Sequence, residues 1–185
     1  EILAGTKDKS IKALFLLGAD EFNAVKEIGK DAFVVYIGHH GDHGAMRADV
    51  ILPGASYAEK DGLYVNTEGR PQLALRAATP PGDAREDWTI LRALSEHIAK
   101  PLPYNSRSDL LSRIYKEWPH LEHIDVRTPA PWKQFGKKAK LNKTKLASPV
   151  KDFYLTNAIC RASKTMQACS KEFLRKDTKL MVAAE

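Results

Sequence analysis

Two short apolar runs, each closed by a glycine, constrain the fold of this chain more than any other feature. Ala13–Leu17 precede Gly18, and Ala32–Ile37 precede Gly38. Neither run alternates between apolar and polar residues, which is typical of a strand buried on both faces of a parallel sheet. We therefore expect both runs to be strands at the centre of an α/β unit.

The segment between the two runs predicts a connecting helix. Asp20 can cap a helix of about ten residues whose apolar face carries Phe22, Val25 and Ile28. A third strand is predicted at Ala48–Leu52, before a Pro-Gly pair that ends it. Strand, helix and strand joined by short loops indicate a parallel sheet with a right-handed crossover, and the strand order stays open.

The rest of the chain predicts a hairpin, three helices and an extended arm. The hairpin pairs residues 63–66 with 70–75, and helices are expected at 85–99, 108–118 and 156–175. The fold class is α/β: a parallel Rossmann-like sheet with flanking helices and a β-hairpin, plus an extended basic arm and a C-terminal helix. The predicted domains are an α/β domain over 1–100, a helical extension over 101–118, an extended lysine-rich arm over 119–150, and a C-terminal helix and tail over 151–185.

The net charge of +6 is concentrated in one segment. Residues 126–151 contain no acid but hold Arg127, Lys133, Lys137, Lys138, Lys140, Lys143, Lys145 and Lys151. A single basic arm on a near-neutral body disfavours a nucleic-acid interface, in which basic residues cover a face with aromatics between them. The arm has three interpretations: a solvated tail, a segment anchored on an acidic protein surface by Trp132 and Phe135, or a ligand of anionic lipid or nucleic acid.

Composition excludes several other classes. Hydrophobic residues make up 43% of the chain, so a mainly disordered protein is excluded, and no apolar stretch approaches the roughly 20 residues of a membrane span. The two cysteines match no zinc or iron–sulfur spacing. Cys160 and Cys169 would face opposite sides of one predicted helix, so we expect free thiols.

The histidine loop is the most suggestive local cluster. His39, His40 and His43 lie with Asp42 in a glycine-rich loop after a predicted strand, and neutral imidazoles are good zinc ligands. The loop lacks the helical spacing that aligns such ligands, so a tight turn with satisfied histidines is expected and no metal is assigned. A zinc site and a pH-sensitive contact are the alternatives.

No nucleotide or catalytic signature is present. Gly38, Gly41 and Gly44 differ from the dinucleotide fingerprint, and no helix is predicted to start directly after them. Gly18 is better placed, but the following Ala19, Asp20 and Glu21 bring two acids that would repel a phosphate. We find no local pattern for a nucleophile or for an acid–base pair.

Several longer motifs resemble a known family. The chain contains ADVILPG at 48–54 and EKDGLYVNTEGRPQ at 59–72, with LFLLGAD, GHHGD, PPGDAREDW, KDFYLTN and RAS elsewhere in the same order as in that family. These motifs resemble the molybdopterin oxidoreductase superfamily. Within it, they are most similar to the C-terminal part of the large iron–sulfur (75 kDa) subunits of mitochondrial respiratory complex I (NADH:ubiquinone oxidoreductase). The likeness runs from about Ile11 to Ala168 and is weakest over 100–148.

The resemblance implies a structural role. Related molybdenum enzymes bind a pterin dinucleotide on this fold, whereas the complex I branch is regarded as having lost it. Gly18, Ala19 and Asp20 would then be a degenerate cofactor loop in a degenerate domain over 1–100, with no catalytic residue and no cofactor on this chain. Iron–sulfur clusters are expected on a cysteine-rich N-terminal portion or on a partner chain, since neither Cys160 nor Cys169 matches a family ligand.

The resemblance also implies partners and a location. The chain would support NADH-to-ubiquinone electron transfer among other subunits of the peripheral arm, on the matrix side of the mitochondrial inner membrane. Because a C-terminal third alone would leave sheet edges uncovered, we expect obligate partnership. Whether the chain is a split gene product, a proteolytic fragment or part of a longer chain is open. The alternatives are a fragment of a cofactor-binding molybdopterin oxidoreductase and a basic nucleic-acid-binding module.

Overall fold

The computed structural model describes residues 1–129 and 136–174, which divide into two units. The first unit combines Glu1–Ile51 with the segment from Lys138 onward, and the second covers Leu52–Lys137. Each unit has its own secondary structure.

The first unit contains the predicted parallel sheet. Its elements are helices α1 (Ile2–Lys7), α2 (Ala24–Glu27) and α3 (His43–Arg47), and strands β1 (Ala13–Leu17), β2 (Phe33–Gly38) and β3 (Val50–Pro53). The strand order is β1–β2–β3, and β1 pairs with β2 in parallel, with Ala13 opposite Phe33 and Leu17 opposite Ile37. The predicted parallel α/β architecture is confirmed, and the structure supplies the strand order.

Strand β2 carries the core because it lies between two neighbours. Val34, Val35, Tyr36 and Ile37 are all buried, as expected for a central strand. Strand β1 is an edge strand, so Phe15 and Leu17 remain 41% and 49% exposed, and only Leu16 is buried. The expectation that both faces of β1 are buried is therefore wrong.

Helix α1 packs closely against the segment before β2. Thr6 is buried, and its hydroxyl donates to the Leu3 carbonyl and accepts from the Gly29 amide at 3.0 Å. A Cβ at position 29 would lie 2.0 Å from the Thr6 carbonyl oxygen, so this approach requires glycine.

The predicted ten-residue helix capped by Asp20 is wrong. Helix α2 has only four residues, and its cap is Asn23, whose side chain accepts from the Lys26 amide. Asp20 cannot cap a helix because its carboxylate is bonded elsewhere in the first unit. Strand β3 also begins two residues later than predicted, because the side chain of Asp49 accepts from the Val34 amide at 2.7 Å.

The second unit confirms the predicted hairpin and both predicted helices. Strands β4 (Gly62–Val65) and β5 (Pro71–Ala74) are antiparallel, and helices α4 (Asp87–His97) and α5 (Arg107–Glu117) follow. Ser106 and Asp109 form a capping box at the start of α5, which explains its sharp beginning. One 3₁₀ turn, Pro119–Glu122, lies within the segment predicted to be extended.

The predicted single C-terminal helix is broken. It consists of a 3₁₀ turn (Phe153–Leu155), helices α6 (Ala158–Ala162) and α7 (Lys164–Cys169), and a π-helical turn (Ser170–Leu174). The break is at Ser163, whose backbone is extended and whose hydroxyl caps α7 by accepting from the Met166 amide at 3.3 Å. The two cysteines thus lie on different helices, and both are free.

The part of the basic arm that the structure describes has no regular element. Residues 136–150 are exposed, and Leu141 and Leu146 contact nothing that shields them. The predicted anchors Trp132 and Phe135 lie outside the described residues. Within the described ranges, no helix has both the length and the apolar character needed to cross a bilayer.

Candidate functional site

The loops that follow β1 and β2 meet at one edge of the sheet. Because the two strands are parallel, Gly18–Asp20 and His39–Asp42 both lie at the carboxyl edge. This is the edge at which open α/β sheets bind ligands, so it is the candidate functional site of the first unit.

Asp20 is the centre of this edge. The residue is 2% exposed, and its carboxylate accepts from the Tyr36 hydroxyl at 2.7 Å and from the Gly44 amide at 2.8 Å. A Cβ at position 44 would lie 2.8 Å from a Tyr36 ring carbon, so glycine allows this amide to reach the carboxylate. The acid predicted to face solvent and repel a phosphate is instead buried and satisfied.

The edge does not fit the phosphates of a pterin dinucleotide. A phosphate needs free amide donors and positive charge. Here the Gly18 amide donates to the Ile37 carbonyl at 2.7 Å, and the Asp20 amide donates to the Glu21 carboxylate at 3.0 Å. The Gly44 amide is bonded to Asp20, so three backbone donors of the edge are already occupied, two of them by carboxylates.

Arg161 covers the same edge from helix α6. Its guanidinium donates to the carboxylate of Asp42, to the Asp20 carbonyl at 3.2 Å and to the Leu155 carbonyl at 3.2 Å. The Asp42 side chain is only 11% exposed, so the ion pair is largely shielded from water. The side-chain amide of Gln167 donates to the Arg161 carbonyl at 2.6 Å and holds the backbone of α6.

Sequence reasoning missed the role of Arg161. Its partner Asp42 lies 119 residues earlier, and no local periodicity relates two positions that far apart. The available signal was the RAS motif at 161–163, one of the short stretches that carry the family resemblance.

The histidine loop is not arranged as a metal centre. The Nδ1 atoms of His39 and His40 lie 2.6 Å apart, and the Nε2 of His43 lies 4.0 Å from Asp42. Over residues 1–129 and 136–174, no group of three or more His, Cys, Asp or Glu side chains is placed to hold a metal ion.

A helix does begin at the glycine series, contrary to the sequence expectation. Helix α3 starts at His43, directly after Asp42, and has five residues. The short helix was missed because Gly44 lies inside it, and glycine disfavours helix on propensity alone. Asp20 compensates by accepting from the Gly44 amide.

Tyr36 is a buried phenol whose proton is held in place. Burial, with the hydrogen bond to Asp20 as the second cause, raises the pKa of Tyr36 well above its ordinary value near 10. The hydroxyl therefore stays protonated and donates to Asp20 over the whole physiological range.

Stability should fall at alkaline pH because of Tyr36. Above about pH 10 the unfolded chain loses this proton while the folded chain keeps it, so stability is complete below pH 10 and decreases above it. The expected slope is about 1.4 kcal/mol per pH unit relative to Tyr36→Phe. Urea denaturation of both proteins from pH 8 to about pH 11 measures it. Parallel curves above pH 10 would contradict the assignment.

Comparisons with known proteins give this geometry a family context. Residues 1–97 match the molybdopterin oxidoreductase family model, and residues 127–169 match the NADH-ubiquinone oxidoreductase G C-terminal model. Arg161 lies in the second matched region, and Asp20 and Asp42 lie in the first. The ion pair therefore joins residues of two different family models.

Curated relatives extend the likeness along most of the chain. The chain is 48% identical to the mitochondrial NADH-ubiquinone oxidoreductase 78 kDa subunit of Candida albicans, over 88% of this chain and 24% of the relative. It is 47% identical to the mitochondrial NADH dehydrogenase [ubiquinone] iron-sulfur protein 1 of Solanum tuberosum, over 88% and 22%. It is 46% identical to the NADH-ubiquinone oxidoreductase 75 kDa subunit of Reclinomonas americana, over 85% and 23%.

The chain thus spans about a quarter of the length of these relatives. The resemblance that the sequence motifs predicted is confirmed over both matched regions. Because one family model accounts for residues 1–97, more than half of the sequence, the chain belongs to the molybdopterin oxidoreductase family.

Proposed function

We propose that this chain is a non-catalytic structural portion of the large iron–sulfur subunit of complex I, where it supports NADH-to-ubiquinone electron transfer. The observation that carries the proposal is the contact of Arg161 with Asp42 and Asp20. It fills the sheet edge that would bind a ligand, and it does so with a residue from the region that matches the NADH-ubiquinone oxidoreductase C-terminal model. An edge closed by the chain itself serves assembly rather than chemistry.

The proposal assigns the redox chemistry to other parts of the assembly. Iron–sulfur clusters lie on a cysteine-rich portion outside this sequence or on a partner chain, and this chain holds no cofactor. Its partners are the other subunits of the peripheral arm, and its place is the matrix side of the mitochondrial inner membrane. The names of the relatives, which are mitochondrial NADH-ubiquinone oxidoreductase subunits, support both assignments.

A native gel of mildly solubilised mitochondrial membranes tests the proposal. We expect this chain, followed by mass spectrometry, to migrate in a very large band that stains for NADH oxidation. A chain or segment carrying the cysteine-rich portion should be present in the same band. Migration of this chain at small size, away from NADH-oxidising activity, would overturn the proposal.

The second candidate function is cofactor-binding molybdopterin oxidoreductase chemistry, which the match over residues 1–97 favours. It predicts stoichiometric molybdenum and pterin in the purified protein. The carboxylates at the carboxyl edge argue against it, because Asp20 occupies the Gly44 amide and Glu21 occupies the Asp20 amide. Metal analysis together with pterin fluorescence of the purified complex separates the two candidates.

A further inference from the structure

An arginine-lined cleft lies in the second unit, apart from the sheet edge. Its volume is about 500 Å³, within the range of ligand-binding pockets. The charged and aromatic side chains that line it are Asp61, Arg76, Arg85, Glu86, Trp88 and Arg107. Three guanidinium groups therefore face two carboxylates and one indole.

Both carboxylates of the cleft are already engaged. Asp61 accepts from the Arg107 guanidinium at 3.0 Å and from the Arg76 amide at 2.8 Å. Glu86 accepts from the indole nitrogen of Trp88 at 2.6 Å. These contacts form a fixed floor and leave the charge of the other two arginines without a strong partner.

Arg76 and Arg85 form the positive mouth of the cleft, and both are exposed. Within residues 1–129 and 136–174, no carboxylate lies within ion-pair distance of the Arg76 guanidinium. Arg85 donates to the Gly82 and Ala84 carbonyls, and its carboxylate neighbour Asp83 is 3.9 Å away and almost fully exposed. Such a solvated pair contributes little, so Arg85 is available to a stronger acceptor.

The backbone at both arginines is held in place. The Arg85 amide donates to the Pro53 carbonyl at 3.1 Å, and the Arg85 carbonyl accepts from the Ala55 amide at 2.8 Å. The amides that follow Arg76, those of Ala77 and Ala78, both donate to the Ala58 carbonyl. A ligand would therefore meet a mouth whose backbone needs no ordering, which reduces the entropic cost of binding.

We propose that this cleft docks an acidic segment of another subunit, with a carboxylate of that segment held by Arg76 and Arg85 against Trp88. Guanidinium groups bind carboxylates with two parallel hydrogen bonds, and a partly shielded cleft strengthens them. Asp61, Glu86 and the nearby Asp83 would repel a polyanion, which favours a carboxylate over a phosphate chain. The inference rests on the proposed function, because it requires the chain to be a subunit of an assembly.

Zero-length coupling in the assembled complex tests the inference. Arginine does not react with carbodiimide-activated carboxylates, whereas the amine introduced by Arg76→Lys or Arg85→Lys forms an amide with a carboxylate that it touches. The complex is coupled in the native state, and only chain recovered from the large NADH-active band is mapped by mass spectrometry. We expect a product with an Asp or Glu of another chain in both variants and no such product in the unchanged protein.

Arg113→Lys is the matched control, since Arg113 is an exposed arginine of the same unit outside the cleft. Equal interchain coupling at Arg113 would overturn the inference. So would coupling only to Asp61, Asp83 or Glu86 of the same chain, or no coupling at all. If the chain is absent from the large band, the proposed function fails and the docking inference fails with it. Presence without an interchain product overturns the docking inference alone.

Charge reversal gives a second, independent readout. Arg76→Glu combined with Arg85→Glu should lower the fraction of the chain recovered in the large band by about tenfold under competition with unchanged protein. Arg113→Glu should leave that fraction unchanged. Equal recovery of the double variant and the unchanged protein would contradict a docking role for the cleft.

Discussion

Replacing Asp20 by alanine is expected to lower the free energy of unfolding by about 3 kcal/mol. The substitution removes the acceptor of two buried donors, the Tyr36 hydroxyl and the Gly44 amide. Neither donor reaches water, because Asp20 and Tyr36 are each 2% exposed. The loss is measured by urea denaturation of the purified chain, followed by circular dichroism and by tyrosine and tryptophan fluorescence.

Two further substitutions show that the effect belongs to this network. Asp83→Ala removes an aspartate that is 97% exposed and should change the free energy of unfolding by less than about 0.5 kcal/mol. Tyr36→Phe leaves Asp20 with the Gly44 amide and should cost about 1–2 kcal/mol. An Asp20→Ala variant as stable as Asp83→Ala would show that the carboxylate does not organise the sheet edge.

Replacing Arg161 by alanine is expected to cost about 2–4 kcal/mol, because it leaves Asp42 shielded from water without its counter-charge. The Asp42 side chain is 11% exposed and that of Arg161 is 22% exposed, so solvent compensates only in part. The Asp20 and Leu155 carbonyls also lose their donor. The expected result is lower stability together with faster proteolysis of residues 152–174, which would no longer be held to the sheet.

A double-mutant cycle isolates the ion pair. Arg161→Ala and Asp42→Ala together should cost clearly less than the sum of the two single changes, since either one already breaks the pair. Lys164→Ala removes the same charge at an exposed position of the next helix and should be close to neutral. Strict additivity of the first two substitutions would contradict the contact.

The carboxyl edge of the sheet shows how a cofactor fold can serve a structural role. Phosphate binding depends on free amides and positive charge at this edge. In this chain, carboxylates occupy the Asp20 and Gly44 amides, and a cation from helix α6 balances the acids. The same residues that disfavour an anionic ligand favour an arginine supplied by the C-terminal region, which makes that region part of the first unit.

Sequence reasoning succeeded where the determinants are local. The glycine-closed apolar runs predicted β1 and β2, the glycine-centred turn predicted the hairpin, and the spacing of apolar residues predicted α4 and α5. Each of these elements depends on propensity and periodicity within about ten residues, which a single sequence displays directly. It failed for the helix at Asp20 and for the C-terminal helix, because the side chains of Asp20 and Ser163 form other hydrogen bonds there.

The sequence by itself determined the family, the parallel α/β architecture and the strands that build it. Only the tertiary structure decided what closes the ligand edge. Asp20 finds Tyr36 and Gly44 at separations of 16 and 24 residues, and Asp42 finds Arg161 at a separation of 119. The physical reason is that a buried carboxylate must be satisfied by whichever donors the packed fold brings to it, and no local pattern states which donors those are.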